Sequence, residues 1–208
     1  MKPSILLLAL LTIGITPLLC QAEEVIGEVI PKGRYYEVYN KEQLSWAMQQ
    51  LTAADAGDKV VVLMNDIDYD DVAWLSVGTS TTPFRGTLDG NGKRLSNVYL
   101  YNSAGLNDNG LIGYADGAVV KNLRFHAKFR AGNDNDNVAV GMLIGYAKNN
   151  VKVRNCEVEA TLLNCGELLT TAGFGWIIGA TTSNATGIVV SDCHAVANIT
   201  SLNFHLSI

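Results

Sequence analysis

One sentence is written twice in this chain. GLIGYADGAVVKNLRFHAKF begins at Gly110, and GMLIGYAKNNVKVRNCEVEATL begins at Gly141. Both carry a Leu-Ile-Gly-Tyr-Ala run, a short polar turn, β-branched residues, an Asn and then an alternating strand. A looser third copy follows, so that Gly113, Gly145 and Gly179 align, with Gly110, Gly141 and Gly175 three or four places upstream of them. Downstream the copies align at Val120, Val153 and Val190, and two residues later at Asn122, Asn155 and Asp192. A degenerate earlier copy places Asn97 ahead of Val98-Tyr99-Leu100, and the four anchors are then separated by 25, 33 and 37 residues. Constant strands with variable spacing imply loops inserted at one corner of a stacked coil.

The strands after the anchors alternate. Leu123, Phe125, Ala127 and Phe129 share one face, as do Cys156, Val158, Ala160 and Leu162, then Cys193, Ala195, Ala197 and Ile199. Such faces need a cover, and repeats of this length obtain one by stacking in register, ~4.8 Å per rung. Val120 and Leu123 both point inward although three residues apart, so a corner falls at Asn122 and its equivalents. Asn tolerates the left-handed backbone a corner needs, and stacked Asn side chains can hydrogen-bond along a ladder. The motif glycines allow tight bends or close backbone approach. The fold class expected is mainly β: a right-handed parallel β-helix-like solenoid with an N-terminal capping helix. A β-propeller or a sandwich is the alternative. Parallel stacking is preferred because the copies match in one direction and carry no hairpin dipeptide at a fixed place.

The Gly-Leu-x-Gly motif followed by Asn155-Cys156, with Asp192-Cys193 one coil later, resembles the bacterial GLUG-motif repeat. The upstream Asn65 to Asp68 run, Trp74 and Phe84-Arg85-Gly86-Thr87-Leu88-Asp89-Gly90-Asn91-Gly92 resemble the opening of β-helical bacterial surface proteins. The resemblance covers about residues 35–200 and implies segments of secreted adhesins, haemagglutinin-like proteins and some surface proteases. It implies an architecture and a bacterial source, and it brings no catalytic set.

The ends carry further expectations. MKPSILLLALLTIGITPLLCQAEE reads as a secretory signal peptide over residues 1–22, cut after Ala22. Its apolar run is shorter than the ~20 residues that span a bilayer. Cys20 raises a lipoprotein alternative, although Leu19 is not the small residue such signals place before the Cys. Secretion or cell-surface display is the localisation expected. Residues 23–57 read as an N-terminal cap with a short helix, Asn40 as N-cap, Gln43 at the capping-box position, and Leu44, Ala47 and Leu51 on one face. Residues 58–208 read as the repeats, with Val60 to Met64 as the first buried strand. Leu202, Phe204, Leu206 and Ile208 alternate to the last residue, which reads as truncation before further coils or as an edge for self-association or a partner chain.

With 208 residues the chain can bury one sizeable core, and a net charge of −5 without a Lys/Arg cluster argues against nucleic acid as partner. Once the signal is removed, Cys156, Cys165 and Cys193 remain, too few and odd in number for a disulfide framework. Cys156 and Cys193 share an inward position, as buried thiols or a cross-rung disulfide. Asp66, Asp68, Asp70 and Asp71 are numerous enough to suggest glycan chemistry, yet the sequence places no basic residue beside them, so they read as solvated turn residues. Asp134 and Asp136 are candidate cation ligands that lack the Gly and distal Glu of an EF-hand loop. His126, His194 and His205 match no zinc spacing, and no Gly-x-Ser-x-Gly elbow, P-loop or dinucleotide fingerprint appears. Tyr99 and Tyr101 are the candidate binding aromatics. The function expected is a non-enzymatic, adhesin-type scaffold for glycan or protein partners, with no cofactor. A glycan-active β-helix enzyme, or a fragment of one, is the alternative, and close outward carboxylates beside a Lys or Arg in a groove would favour it.

Overall fold

The computed structural model describes residues 27–101, 108–130, 139–163 and 173–199. The signal segment with Cys20, the loop containing Asp134 and Asp136, Cys165, His205 and the C-terminal alternating stretch lie outside the described residues.

The chain is mainly β, and its named strands pair only in parallel. A six-stranded corner sheet runs in the order β1 (Tyr35–Val38), β2 (Val60–Leu63), β5 (Thr87–Asp89), β9 (Val119–Lys121), β13 (Lys152–Arg154) and β17 (Val189–Ser191). A wide sheet contains β3 (Ile67–Asp68), β6 (Arg94–Tyr101), β10 (Arg124–Arg130), β14 (Glu157–Leu163) and β18 (His194–Ile199), with β4 (Ala73–Trp74) also on β6. Two three-stranded sheets complete three of the coils: β7 (Asp108–Asn109), β11 (Ala139–Gly141) and β15 (Gly173–Gly175), then β8 (Ile112–Ala115), β12 (Ile144–Ala147) and β16 (Ile178–Thr181). This is a stack of coils, each strand lying on its counterpart one repeat away.

Period-two burial explains the stack. Phe125, Ala127 and Phe129 are buried on β10, and Val158, Ala160 and Leu162 on β14, while the residues between them face out. Cys193 and Ala195 are only half-buried, because no further described coil lies on their far side.

The corner is made as its chemistry requires. Asn122, Asn155 and Asp192 all have left-handed backbone, with φ of 54, 50 and 54°. Asn155 Nδ2 donates to Asn122 Oδ1 at 2.9 Å, and Asn122 Nδ2 donates to Asp89 Oδ1 at 3.1 Å. Asn97 is the correction. Its φ is 52°, but it sits at a bulge inside β6, where the register shifts between Phe125 and Ala127. Asp89 pairs with Lys121 and Arg94 with Arg124, so the four residues from Gly90 to Lys93 stand opposite Asn122 and Leu123, with left-handed backbone at Asn91 and Gly92, φ 51 and 71°. Asn97 Nδ2 turns to Asp68 at 2.9 Å instead.

The glycines form two columns. Gly110, Gly141 and Gly175 follow one another in register, as do Gly113, Gly145 and Gly179. None of the six has the positive φ of a tight bend; close approach is what requires them. A Cβ on Gly145 would lie 2.7 Å from the Asn109 nitrogen and 2.8 Å from the Gly113 oxygen, backbone atoms of two different strands.

Helix α1 (Lys41–Gln50) buries Leu44, Ala47 and Met48, and Leu51 follows into the core. Asn40 caps it by accepting the Gln43 N–H at 2.9 Å; the Gln43 side chain reaches past Asn40 to accept the Tyr39 N–H. The stack also begins earlier than the sequence suggests. β1, inside the segment expected to be cap alone, lies in register on β2 from Tyr35 to Val38.

Candidate functional site

The outer face of the wide sheet gathers most of the outward chemistry, because parallel in-register strands turn sequence offsets into columns. Arg94, Arg124, Glu157 and His194 form one column. His126, Glu159 and Val196 form the next. Tyr99, Lys128, Thr161 and Asn198 come third, then Tyr101, Arg130 and Leu163. Alternate residues on a strand are about 7 Å apart and neighbouring strands about 4.8 Å, so each residue has neighbours in both directions.

Tyr99 and Tyr101, the candidate aromatics, do project together. Their rings lie 11° from parallel with centroids 6.2 Å apart, and Tyr101 is 41% exposed. In register beside them stand Lys128 and Arg130. Lys128 Nζ reaches Asp71 at 2.6 Å, whereas Arg94, Arg124 and Arg130 make no ion pair among the described residues.

Glu157 and Glu159 escaped the sequence reading, which examined the histidines and the aspartate run. The anchors already held the signal: two and four residues past Asn155 lie opposite two and four past Asn122, and so Glu157 meets Arg124 and Glu159 meets His126. His194 faces Glu157 from the other side. A cleft of about 490 Å³ opens here beside the corner ladder, lined by Asn122, Arg124, Asn155, Glu157, Asp192 and His194 among others. Asn198 Nδ2 donates to Glu159 at 3.3 Å.

The aspartate run is not merely solvated. Asp66 accepts the Arg94 N–H at 2.8 Å, Asp70 pairs with Lys41 at 2.6 Å, and Asp71 with Lys128. The absence of a basic neighbour held only along the sequence; coiling brings in lysines from 29 and 57 residues away. Asp68, which accepts the Asp70 N–H and the Asn97 amide, is held below the usual carboxylate range by those bonds, the backbone one first.

Behind the corner, Asp89 is partly buried. Burial alone would raise its carboxyl, but Lys121, the Asn91 N–H and Asn122 together hold it lower than usual. Among the described residues Asp108 has no such help, and burial pushes its carboxyl up to about 6. Cys156 and Cys193 lie in register as free thiols, and burial raises the Cys156 thiol to about 11.

A second concavity, about 470 Å³, lies between α1 and β4, with Trp46, Tyr69, Trp74, Glu42, Ser45 and Gln49 in its walls. Tyr69 OH donates to the Lys41 carbonyl at 2.9 Å and Trp74 Nε1 to the Leu111 carbonyl at 2.9 Å, so both polar ends serve the fold. Among the described residues no three His, Cys, Asp or Glu side chains converge as a metal set, and no helix is long and apolar enough to cross a membrane. Compared with known protein families, with curated proteins and with solved structures, the chain finds no match.

Proposed function

We propose that this chain is an exported or cell-surface scaffold of adhesin type, non-enzymatic, that binds glycan on the outer face of its wide sheet. In this reading the coils form a right-handed parallel β-helix, α1 covers its N-terminal end, and the GLUG-like glycines and Asn corners belong to that repeat family. The observation that carries the binding reading is the placement of Tyr99 and Tyr101 in register with Lys128 and Arg130. Aromatic faces offer stacking area to sugar rings, and the adjacent cations supply hydrogen-bond donors on a backbone fixed by strand pairing. The test is a glycan panel probed with the full chain, purified after export, against its Tyr99→Ser/Tyr101→Ser variant. Binding that survives the double substitution unchanged would remove this face from the account.

One observation favours a second reading, a glycan-active enzyme. Glu157 and Glu159 occupy alternate outward positions on β14 with a backbone spacing of about 7 Å, which lets their carboxyl groups reach the separations that glycoside-cleaving pairs use. Arg124 and His126 stand in register beside them. Release of reducing ends or of unsaturated sugar from the same panel, abolished by Glu157→Gln or Glu159→Gln, would establish this reading over the first.

A further inference from the structure

Resting on the glycan reading, we infer that the ligand is an acidic polysaccharide, bearing carboxylate or sulfate, laid along β10. The chain as a whole carries −5, yet every outward side chain of β10 is basic or can become so: Arg124, His126, Lys128 and Arg130. Arg94 extends the row by pairing with Arg124. Positive charge is thus concentrated on one strand of an otherwise acidic protein.

Among the described residues, the guanidinium groups of Arg94, Arg124 and Arg130 are not spent on ion pairs. Lys128 is paired with Asp71, but their side chains are 32% and 51% exposed, so an arriving anion can share or replace that partner. Guanidinium forks bind carboxylate and sulfate through paired N–H donors. Outward residues recur about every 7 Å along the strand. Acid groups one or two sugar rings apart lie within reach of these long side chains.

The flanks select the kind of polyanion. On one side Tyr99 and Tyr101 stand next to Lys128 and Arg130 and offer rings to the sugar faces. On the other, Glu157 and Glu159 border Arg124 and His126. A sugar chain can donate its ring hydroxyls to these two carboxylates, whereas the phosphodiester backbone of a DNA strand offers them no hydroxyl donor. Nucleic acid is accordingly disfavoured.

The experiment measures binding of the full exported chain to a polyuronate, a sulfated dextran, uncharged dextran and a single-stranded oligothymidylate of comparable charge. The acidic glycans should bind, with affinity falling ~10-fold or more as salt rises from about 0.05 to about 0.5 M. Lys128→Gln/Arg130→Gln should lose most of that salt-sensitive binding, and Arg130→Lys should recover only part of it. Both substitutions face outward, and an unchanged circular dichroism spectrum and melting temperature establish that the fold is intact. Uncharged dextran bound as tightly as the acidic glycans, without salt dependence, would overturn this inference and leave the glycan reading standing. Oligothymidylate bound as tightly as the polyuronate would overturn the assignment to acidic glycan. Binding to none of the glycans would overturn both readings.

Discussion

Replacing Gly145 by Ala tests whether the glycine columns exist for close backbone approach. The added Cβ would meet the Asn109 nitrogen at 2.7 Å, the Gly113 oxygen at 2.8 Å and the Asn109 oxygen at 2.9 Å. All three are backbone atoms of β7 and β8 in the neighbouring coil, so no side-chain rotation relieves the contact. Overpacking of this kind costs ~1–3 kcal/mol, which in a chain of this size lowers the melting temperature by about 2–12 °C. Two controls separate the alternatives. Gly57 has nothing within 4 Å of its Cβ position and no positive φ, so Gly57→Ala should be neutral or stabilise by ~0.4–1 kcal/mol. Gly33 is equally open but has φ +63°, so its Ala variant should show only the left-handed penalty of ~1–2 kcal/mol. Thermal melts and urea titrations of the three variants read the differences. A Gly145→Ala variant as stable as Gly57→Ala would mean that the columns are not held by steric exclusion, and the account of the repeat would fail.

Asn122→Ala should cost ~2–4 kcal/mol by adding left-handed strain and breaking both ladder bonds, and Asn122→Gly should cost less because it relieves the strain; urea unfolding measures both. Asp108 titrates at about 6 when folded and near ~3.9 when unfolded, so its ionised form opposes folding at neutral pH and that penalty fades as pH falls from about 6 to about 4. Asp108→Asn should therefore melt higher than the parent at pH 7 and match it near pH 4, and equal melting at pH 7 would contradict the burial argument. With its thiol raised to about 11, Cys156 should alkylate far more slowly at pH 8 than in denaturant, and more slowly than half-buried Cys193, as mass spectrometry of timed samples would show.

The repeat made much of this fold legible. Anchoring on Asn122, Asn155 and Asp192 is enough to find the corner, the inward faces of β10 and β14, and both glycine columns, because stacking copies one local conformation from coil to coil. Legibility failed where a coil departs from that copy. Asn97 has the right residue and the right φ, but it serves a bulge, while the corner opposite Asn122 is turned by a longer segment, Gly90 to Lys93, left-handed at Asn91 and Gly92. β1 lacks the motif altogether and was hidden by its position ahead of α1. The Lys41 and Lys128 partners of the aspartate run come from other coils, and local sequence carries no sign of them. The outward face was readable in principle, since Arg124, Glu157 and His194 share one offset, but polar residues at outward positions follow no pattern that burial imposes.

The in-register stack also makes length an adjustable property. Asn122 and Asn155 have the same φ within a few degrees and enter successive coils from equivalent strands, β9 and β13. Joining Lys121 directly to Asn155 would excise one whole turn of the coil and leave a corner of unchanged geometry at the seam. Copying the same stretch would insert a turn on equal terms. A protein built this way can change its length by whole rungs, each ~4.8 Å, without redesigning its interior.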